Sequence, residues 1–179
     1  MQTNFLPHLL ADPDTAMAEA ILRKCVHCGF CTATCPTFLE LGDELDSPRG
    51  RIYLIKDMLE TGRPADLETV KHLDRCLTCL SCTTTCPSGV DYMHLVDHAR
   101  AHVTATHSRP FVERMYRHLL ALVLPRPALF RTALLAASLV RPFARVLPGR
   151  LRAMLTLLPK RLPNPSSVDQ PQVFPARRE

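Results

Sequence analysis

One spacing, C-x2-C-x2-C-x3-C-P, appears twice in the chain, at Cys25, Cys28, Cys31, Cys35 and Pro36 and again at Cys76, Cys79, Cys82, Cys86 and Pro87. These eight positions are every cysteine in the 179 residues, so the fold must bring two short loops to a place where their sulfurs are used. The opening MQTNFLPHLLADPD has no basic n-region and no apolar h-region, so the expected location is the reducing cytoplasm. There thiols stay reduced, and clustered cysteines read as metal ligands rather than disulfides.

A [4Fe-4S] cube takes four thiolates, one per iron, and three cysteines at x2 spacing let one tight loop wrap three corners. The fourth cysteine, three residues on, is carried past that cube; in two-cluster ferredoxins this spacing ligates the neighbouring cluster. Two [4Fe-4S] clusters with crossed ligand sets are therefore expected. Cys25, Cys28, Cys31 and Cys86 would hold the first, and Cys76, Cys79, Cys82 and Cys35 the second. Pro36 and Pro87 disfavour helix at the preceding cysteine, which suits a chain leaving a loop at a fixed angle. The alternative is structural zinc, but zinc usually takes two separated C-x2-C pairs, and the x3-C-P extension would leave ligands without a tetrahedral site. A Rieske centre needs two histidines, and His27 alone does not supply them.

The small fillers Gly29, Thr32, Ala33, Thr34, Ser81, Thr83, Thr84 and Thr85 are expected to let amides and hydroxyls approach the sulfurs. Arg23, Lys24 and Arg75 lie beside the first ligands, where positive charge favours a reduced cluster. His27 reads as a loop residue with a secondary reading as a cluster modulator. His94, His98 and His102 read as a solvated helix flank. Arg49-Gly50-Arg51 reads either as an exposed basic turn or as a docking or cluster-side contact.

With no tryptophan, 6% aromatics and 16 prolines, the composition favours short helices over a sheet, and the fold class expected is all-α. Helices are predicted over 14–24, capped by Asp14 or Thr15 with Met17, Ala20 and Ile21 inward, and from Ser47-Pro48 to near Gly62 with Ile52, Ile55 and Leu59 inward. A third follows Asp66, with Leu67, Val70 and Leu73 inward, and a fourth runs from Asp91 to about Thr106, burying Tyr92, Leu95, Val96, Ala99 and Val103. Three regions are expected: a two-cluster domain over 1–107, a Leu/Arg-rich helical extension broken by prolines over 108–160, and a proline-rich linker or tail over 161–179.

Charge divides along the same line. Residues 1–100 carry 9 Lys/Arg against 14 Asp/Glu and residues 101–179 carry 13 against 3, nets of −5 and +10. The basic half lacks aromatic interleaving and any nucleic-acid motif, so no nucleic acid partner is expected. No apolar run reaches the ~18 residues of a transmembrane segment. Glycine-rich dinucleotide loops, a nucleophile elbow and HExxH are all missing, so the chain reads as an electron wire with no catalytic residue of its own.

The 40 residues between Cys35 and Cys76 resemble the α-helical ferredoxin module of iron-sulfur subunits in flavin-linked respiratory dehydrogenases, rather than the short connection of ordinary two-cluster ferredoxins. At finer grain LRKCVHCGFCTATCPTF, GDELDSPRGRIYLIK, HLDRCLTCLSCTTTCPSGV and PRPALFR resemble the iron-sulfur subunits of bacterial glycolate oxidase, over residues 18 to about 175. Subunits of anaerobic glycerol-3-phosphate dehydrogenase and heterodisulfide reductase share the cysteine spacing. The resemblance implies a complex in which an FAD-containing subunit oxidises glycolate to glyoxylate and the clusters relay electrons toward a quinone or another acceptor. It also implies that the basic segment docks on the flavin subunits or lies peripherally on the inner membrane face, the other reading being a helical layer that covers the cluster domain. In that family the linker leads to two cysteine-rich domains with CCG motifs. This sequence stops at Glu179, about where the first would begin, and is expected to correspond to the N-terminal part.

Overall fold

The computed structural model describes residues 1–147, 149–159, 161–162, 164, 166 and 172–173. All regular elements among them are helical: α1 (Pro13–Lys24), α2 (Pro36–Leu41), α3 (Pro48–Thr61), α4 (Leu67–Asp74), α5 (Ser81–Thr85), α6 (Tyr92–Thr106), α7 (Phe111–Val123), α8 (Pro127–Val140) and α9 (Gly149–Thr156). Short 3-10 turns cover Phe30–Thr34, Glu44–Asp46 and Arg141–Val146. The chain divides into two units, Met1–Ser108 and Arg109–Glu179. Most of the tail expected over 161–179 lies outside the described residues.

In the first unit, cap chemistry sets the helix ends. Ser47 Oγ accepts from Gly50 N at 3.0 Å with Pro48 as the first helical residue, and α3 ends where Gly62 takes φ 63°. Asp66 and Asp91 cap α4 and α6 by accepting from the N–H groups of Thr69 and His94. The α1 boundary differs from expectation. Its cap is Asp12, whose carboxylate accepts from Thr15 N at 2.9 Å, with Pro13 opening the helix. The face turned inward is correspondingly Ala18, Ile21 and Leu22, while Met17 and Ala20 are exposed. Leu67 is also exposed, because as the first residue of α4 it precedes the turn that meets the core.

Helices α1, α3, α4 and α6 enclose one apolar core, with Leu22, Ile55, Met58, Leu73, Leu95 and Val96 almost wholly buried. Each such side chain contributes about 1.5–3 kcal/mol on burial. The α6 face is the predicted set of Tyr92, Leu95, Val96, Ala99 and Val103. This bundle ends at the cysteine loops: Cys25 follows α1, Cys76 lies just past α4, and α5 and α6 flank Cys86. Gly50 is where packing is tightest. A Cβ there would overlap the Glu44 carbonyl oxygen and lie 2.9 Å from Leu45 Cα, so the first turn of α3 sits directly on the 44–46 turn.

The second unit is different in kind. None of the residues of α7 and α8 is buried, although Phe111, Met115, Leu119, Leu135 and Leu139 are apolar. No single helix among the described residues is long and apolar enough to cross a membrane; α7 with the stretch Pro127–Val146 passes only as a pair bent by 118°.

Candidate metal centre

The two cysteine loops have the same backbone. His27 and Thr78, each before the second cysteine of its repeat, take φ 59° and 52°; Gly29 and Leu80, each after it, take 85° and 59°. Alternating left-handed residues curl each loop so that its first three sulfurs turn to one side. A non-glycine residue in this conformation costs roughly 1–2 kcal/mol, which three positions accept and Gly29 avoids. Exposure repeats as well: Cys28 and Cys79, the second cysteines, are the exposed members, while Cys25, Cys35 and Cys82 are buried.

Two cavities result. The larger, 440 Å³ counted to its open mouth, is lined by Cys25, Cys28 and Cys31 of the first repeat together with Cys86 of the second. The other, 310 Å³, is lined by Cys76, Cys79 and Cys82 of the second repeat together with Cys35 of the first. Cys82, Pro48 and Tyr92 line both and form their common wall. The threonine fillers do a job unforeseen in the sequence. Thr85 Oγ1 lies 3.1 Å from Thr34 Oγ1, and Thr34 Oγ1 lies 3.5 Å from the Ser81 carbonyl, so they join one repeat to the other.

The donor chemistry fits iron-sulfur clusters. All eight cysteines are free. Burial first, and then the neighbouring sulfurs of Cys31 and Cys76, push the Cys82 thiol up to about 11, so a cationic group is needed to hold this many thiolates together. Tetrahedral zinc with Zn–S near 2.3 Å needs sulfurs about 3.8 Å apart. Among the described residues the only three candidate ligand atoms within 4.8 Å of one another belong to Asp43, Asp46 and His72, not to cysteines. That trio is itself no cation site, because Arg51 and Arg75 already occupy the Asp46 carboxylate.

Around the sulfurs lies a polar shell that sequence reading only partly located. Arg51, 1% exposed, is a cluster-side residue: its Nη1 is 3.8 Å from Cys35 Sγ, Nη2 donates to Thr37 Oγ1 at 3.0 Å and Asp46 Oδ1 at 3.2 Å, and Nε donates to the His72 carbonyl at 2.7 Å. Asp46 is fully buried and also accepts from Arg75 Nη1 at 2.7 Å and His72 Nδ1 at 2.9 Å. Burial alone would raise its carboxyl, but the His72 and Arg75 hydrogen bonds overcome this and hold it below the ordinary range. Arg75 thus acts through Asp46, and Arg23 pairs with Glu19 on the surface. Tyr92 OH lies 3.6 Å from Cys76 Sγ, and Ser81 Oγ 3.6 Å from Cys79 Sγ.

His27 Nδ1 lies 3.6 Å from Cys25 Sγ, and burial followed by the charge of Arg49 lowers its pKa. Arg49 packs over Gly29 and pairs with Glu44. The histidines of α6 do not converge. His94 meets Asp91 at 2.6 Å, His98 Nε2 is buried without a partner, and His102 Nε2 is 3.0 Å from the Arg63 carbonyl.

The 4Fe-4S dicluster domain family matches residues 21–90, which span both loops and both cavities. The cofactors of that family are [4Fe-4S] clusters, and all eight cysteines lie within the matched residues. The chain is 53% identical over 155 residues to the glycolate oxidase iron-sulfur subunit of Escherichia coli, covering 87% of this chain and 37% of that protein. It is 34% identical over 160 residues to the "Probable glycolate oxidase iron-sulfur subunit" of Bacillus subtilis, covering 80% and 35%. Over 102 residues it is 33% identical to the succinate dehydrogenase iron-sulfur subunit of Paracoccus denitrificans, covering 48% and 39%. The chain therefore spans little more than a third of the length of these relatives. No solved structure matches it.

Proposed function

We propose that this chain is an electron-transfer iron-sulfur subunit of a flavin-dependent glycolate dehydrogenase complex, with the crossed ligand sets Cys25, Cys28, Cys31 and Cys86, and Cys76, Cys79, Cys82 and Cys35. The observation that carries the reading is the lining of two adjacent cavities, each holding the first three cysteines of one repeat and the last cysteine of the other, with Cys82 in the wall they share. When bound, the clusters supply one-electron carriers between an FAD-containing subunit and a quinone or other acceptor. The chain's own residues set their spacing and potential. Identity to glycolate oxidase iron-sulfur subunits supports glycolate as the substrate of the partner subunit.

The division of labour proposed is a two-cluster domain over 1–107, a docking extension over 108–160 and a linker over 161–179. The exposed apolar residues of α7 and α8, beside arginines such as Arg114, Arg117 and Arg126, support docking on the flavin subunit or peripheral contact with the inner face of the cytoplasmic membrane. The location proposed is accordingly cytoplasmic.

Iron and acid-labile sulfide analysis of anaerobically purified chain tests the cofactors: about eight of each per chain is expected, and stoichiometric zinc without sulfide would sink the reading. Crossing is tested with Cys86→Ala, which should damage the EPR signal of the cluster on Cys25, Cys28 and Cys31. Damage confined to the other signal refutes the assignment. Glycolate added to the purified complex should reduce both signals, and reduction by another 2-hydroxy acid alone would change the assigned substrate.

A further inference from the structure

The two cavities are alike in cysteines and unlike in what surrounds them. Three of the four sulfurs of the second set have a side-chain donor: Arg51 at Cys35, Tyr92 at Cys76 and Ser81 at Cys79. One of these donors carries a full charge and is buried. Arg51 and Arg75 share the single carboxylate of Asp46, so positive charge remains in excess next to Cys35. The nearest further acid is Asp43, 40% exposed and 4.0 Å from His72 Nε2, where water screens it. At the first cavity, His27 lies beside Cys25, and the Arg49 guanidinium, 35% exposed, is paired with Glu44.

Resting on the ligand sets proposed above, we infer that Arg51, with Tyr92, sets the two clusters apart in potential, the one held by Cys35, Cys76, Cys79 and Cys82 being the higher. A cluster gains negative charge on reduction. A guanidinium fixed in a low-dielectric wall and hydrogen bonds to sulfur both favour that reduced form, and burial protects the guanidinium from the screening that weakens Arg49. The lattice holding Arg51 is built for this purpose: the Asp46 carboxylate, Thr37 hydroxyl and His72 carbonyl take three directions of the fork and leave Nη1 aimed at Cys35. Pro48, two residues after Asp46 and three before Arg51, stands in the wall between the cavities, so the same helix start places the half-exposed, Glu44-paired Arg49 on the first, where the Met1 ammonium also meets the Cys25 carbonyl, and the buried Arg51 on the second.

The test is an EPR-monitored redox titration of the anaerobically purified full chain, with signals assigned through Cys28→Ser for the first set and Cys79→Ser for the second. The second-set signal is expected to appear first on reduction. Arg51→Met should lower its midpoint by at least ~59 mV, the equivalent of a tenfold change in reduced-to-oxidised ratio for one electron, with the first-set midpoint unmoved and Arg51→Lys recovering part of the shift. If Arg51→Met does not retain its clusters, Tyr92→Phe and Thr37→Val decide, since the first removes the donor at Cys76, the second removes the acceptor that holds Arg51 Nη2, and both keep the shape. Each should lower the same midpoint by a smaller step. Prior reduction of the first-set signal, or second-set midpoints unchanged in Tyr92→Phe and Thr37→Val, overturns the inference. Absence of iron and sulfide from the wild-type chain would instead overturn the function proposed above.

Discussion

Gly50 offers the sharpest test of how the site is held together, because propensity and packing pull in opposite directions there. Gly50→Ala in a helix should by itself stabilise by about 1 kcal/mol. The structure reverses the sign. The new methyl would overlap the Glu44 carbonyl oxygen and crowd Glu44 C and Leu45 Cα, which are backbone atoms and cannot rotate away. The 44–46 turn is itself pinned, by Leu45 N donating to Asp43 Oδ1 at 3.0 Å and Ser47 N donating to the Glu44 carbonyl at 3.0 Å. Overpacking against such an obstacle costs about 3 kcal/mol, so the net loss expected is about 2 kcal/mol. Relief would require Asp46 to move, loosening Arg51 from Cys35. Urea unfolding of the cluster-loaded chain, followed by far-UV circular dichroism and cluster absorbance, measures both effects. A Gly50→Ala chain as stable as wild type or more so would refute the packing argument, and Gly42→Ala, whose Cβ would meet nothing within 4 Å, separates clash from left-handed strain.

Leu80→Gly should stabilise the chain by up to about 1 kcal/mol in the same assay, since it relieves a left-handed φ at a residue packed only partly against the core; a loss would mean that the Leu80 side chain matters more than its backbone. Acid should erase the contribution of Asp46. Its folded carboxyl titrates below the unfolded value of about 3.9, so its stabilisation is complete above that value and is lost as pH falls through the folded pKa. The gap in unfolding free energy between wild type and Asp46→Asn should therefore stay level from pH 7 to about 5 and narrow as pH falls below about 4, and a gap unchanged down to the acid limit of folding would contradict the charge network.

Much of the fold could be read from local chemistry. The Ser47-Pro48 start, the Gly62 stop and the Asp66 and Asp91 caps each depend on residues a few positions apart, and those helices lie where the spacing puts them. Reading failed where one residue had two uses. Pro36 is both a stiff exit from the loop and the first residue of α2, a helix too short to announce itself by periodicity. At α1 the choice of Asp14 or Thr15 over Asp12 as the cap rotated the expected face away from Leu22. The buried network was the least legible part. Asp46 stands in an acidic stretch with no motif around it, and its partners Arg51, His72 and Arg75 are up to 29 residues away. The available clue was the glycine between two arginines at a helix start, a sign of close backbone approach at Gly50.

The shared wall of the two cavities also imposes an order in time. Equivalent positions of the repeats are 51 residues apart, so at roughly 5–20 residues per second a ribosome finishes the first loop about 3–10 s before the second. During that interval three sulfurs face a half-built pocket whose fourth side, Cys86 with Tyr92 behind it, has yet to be synthesised. With the ligand sets proposed above, a nascent chain interrupted between the repeats has no finished site of either kind to load.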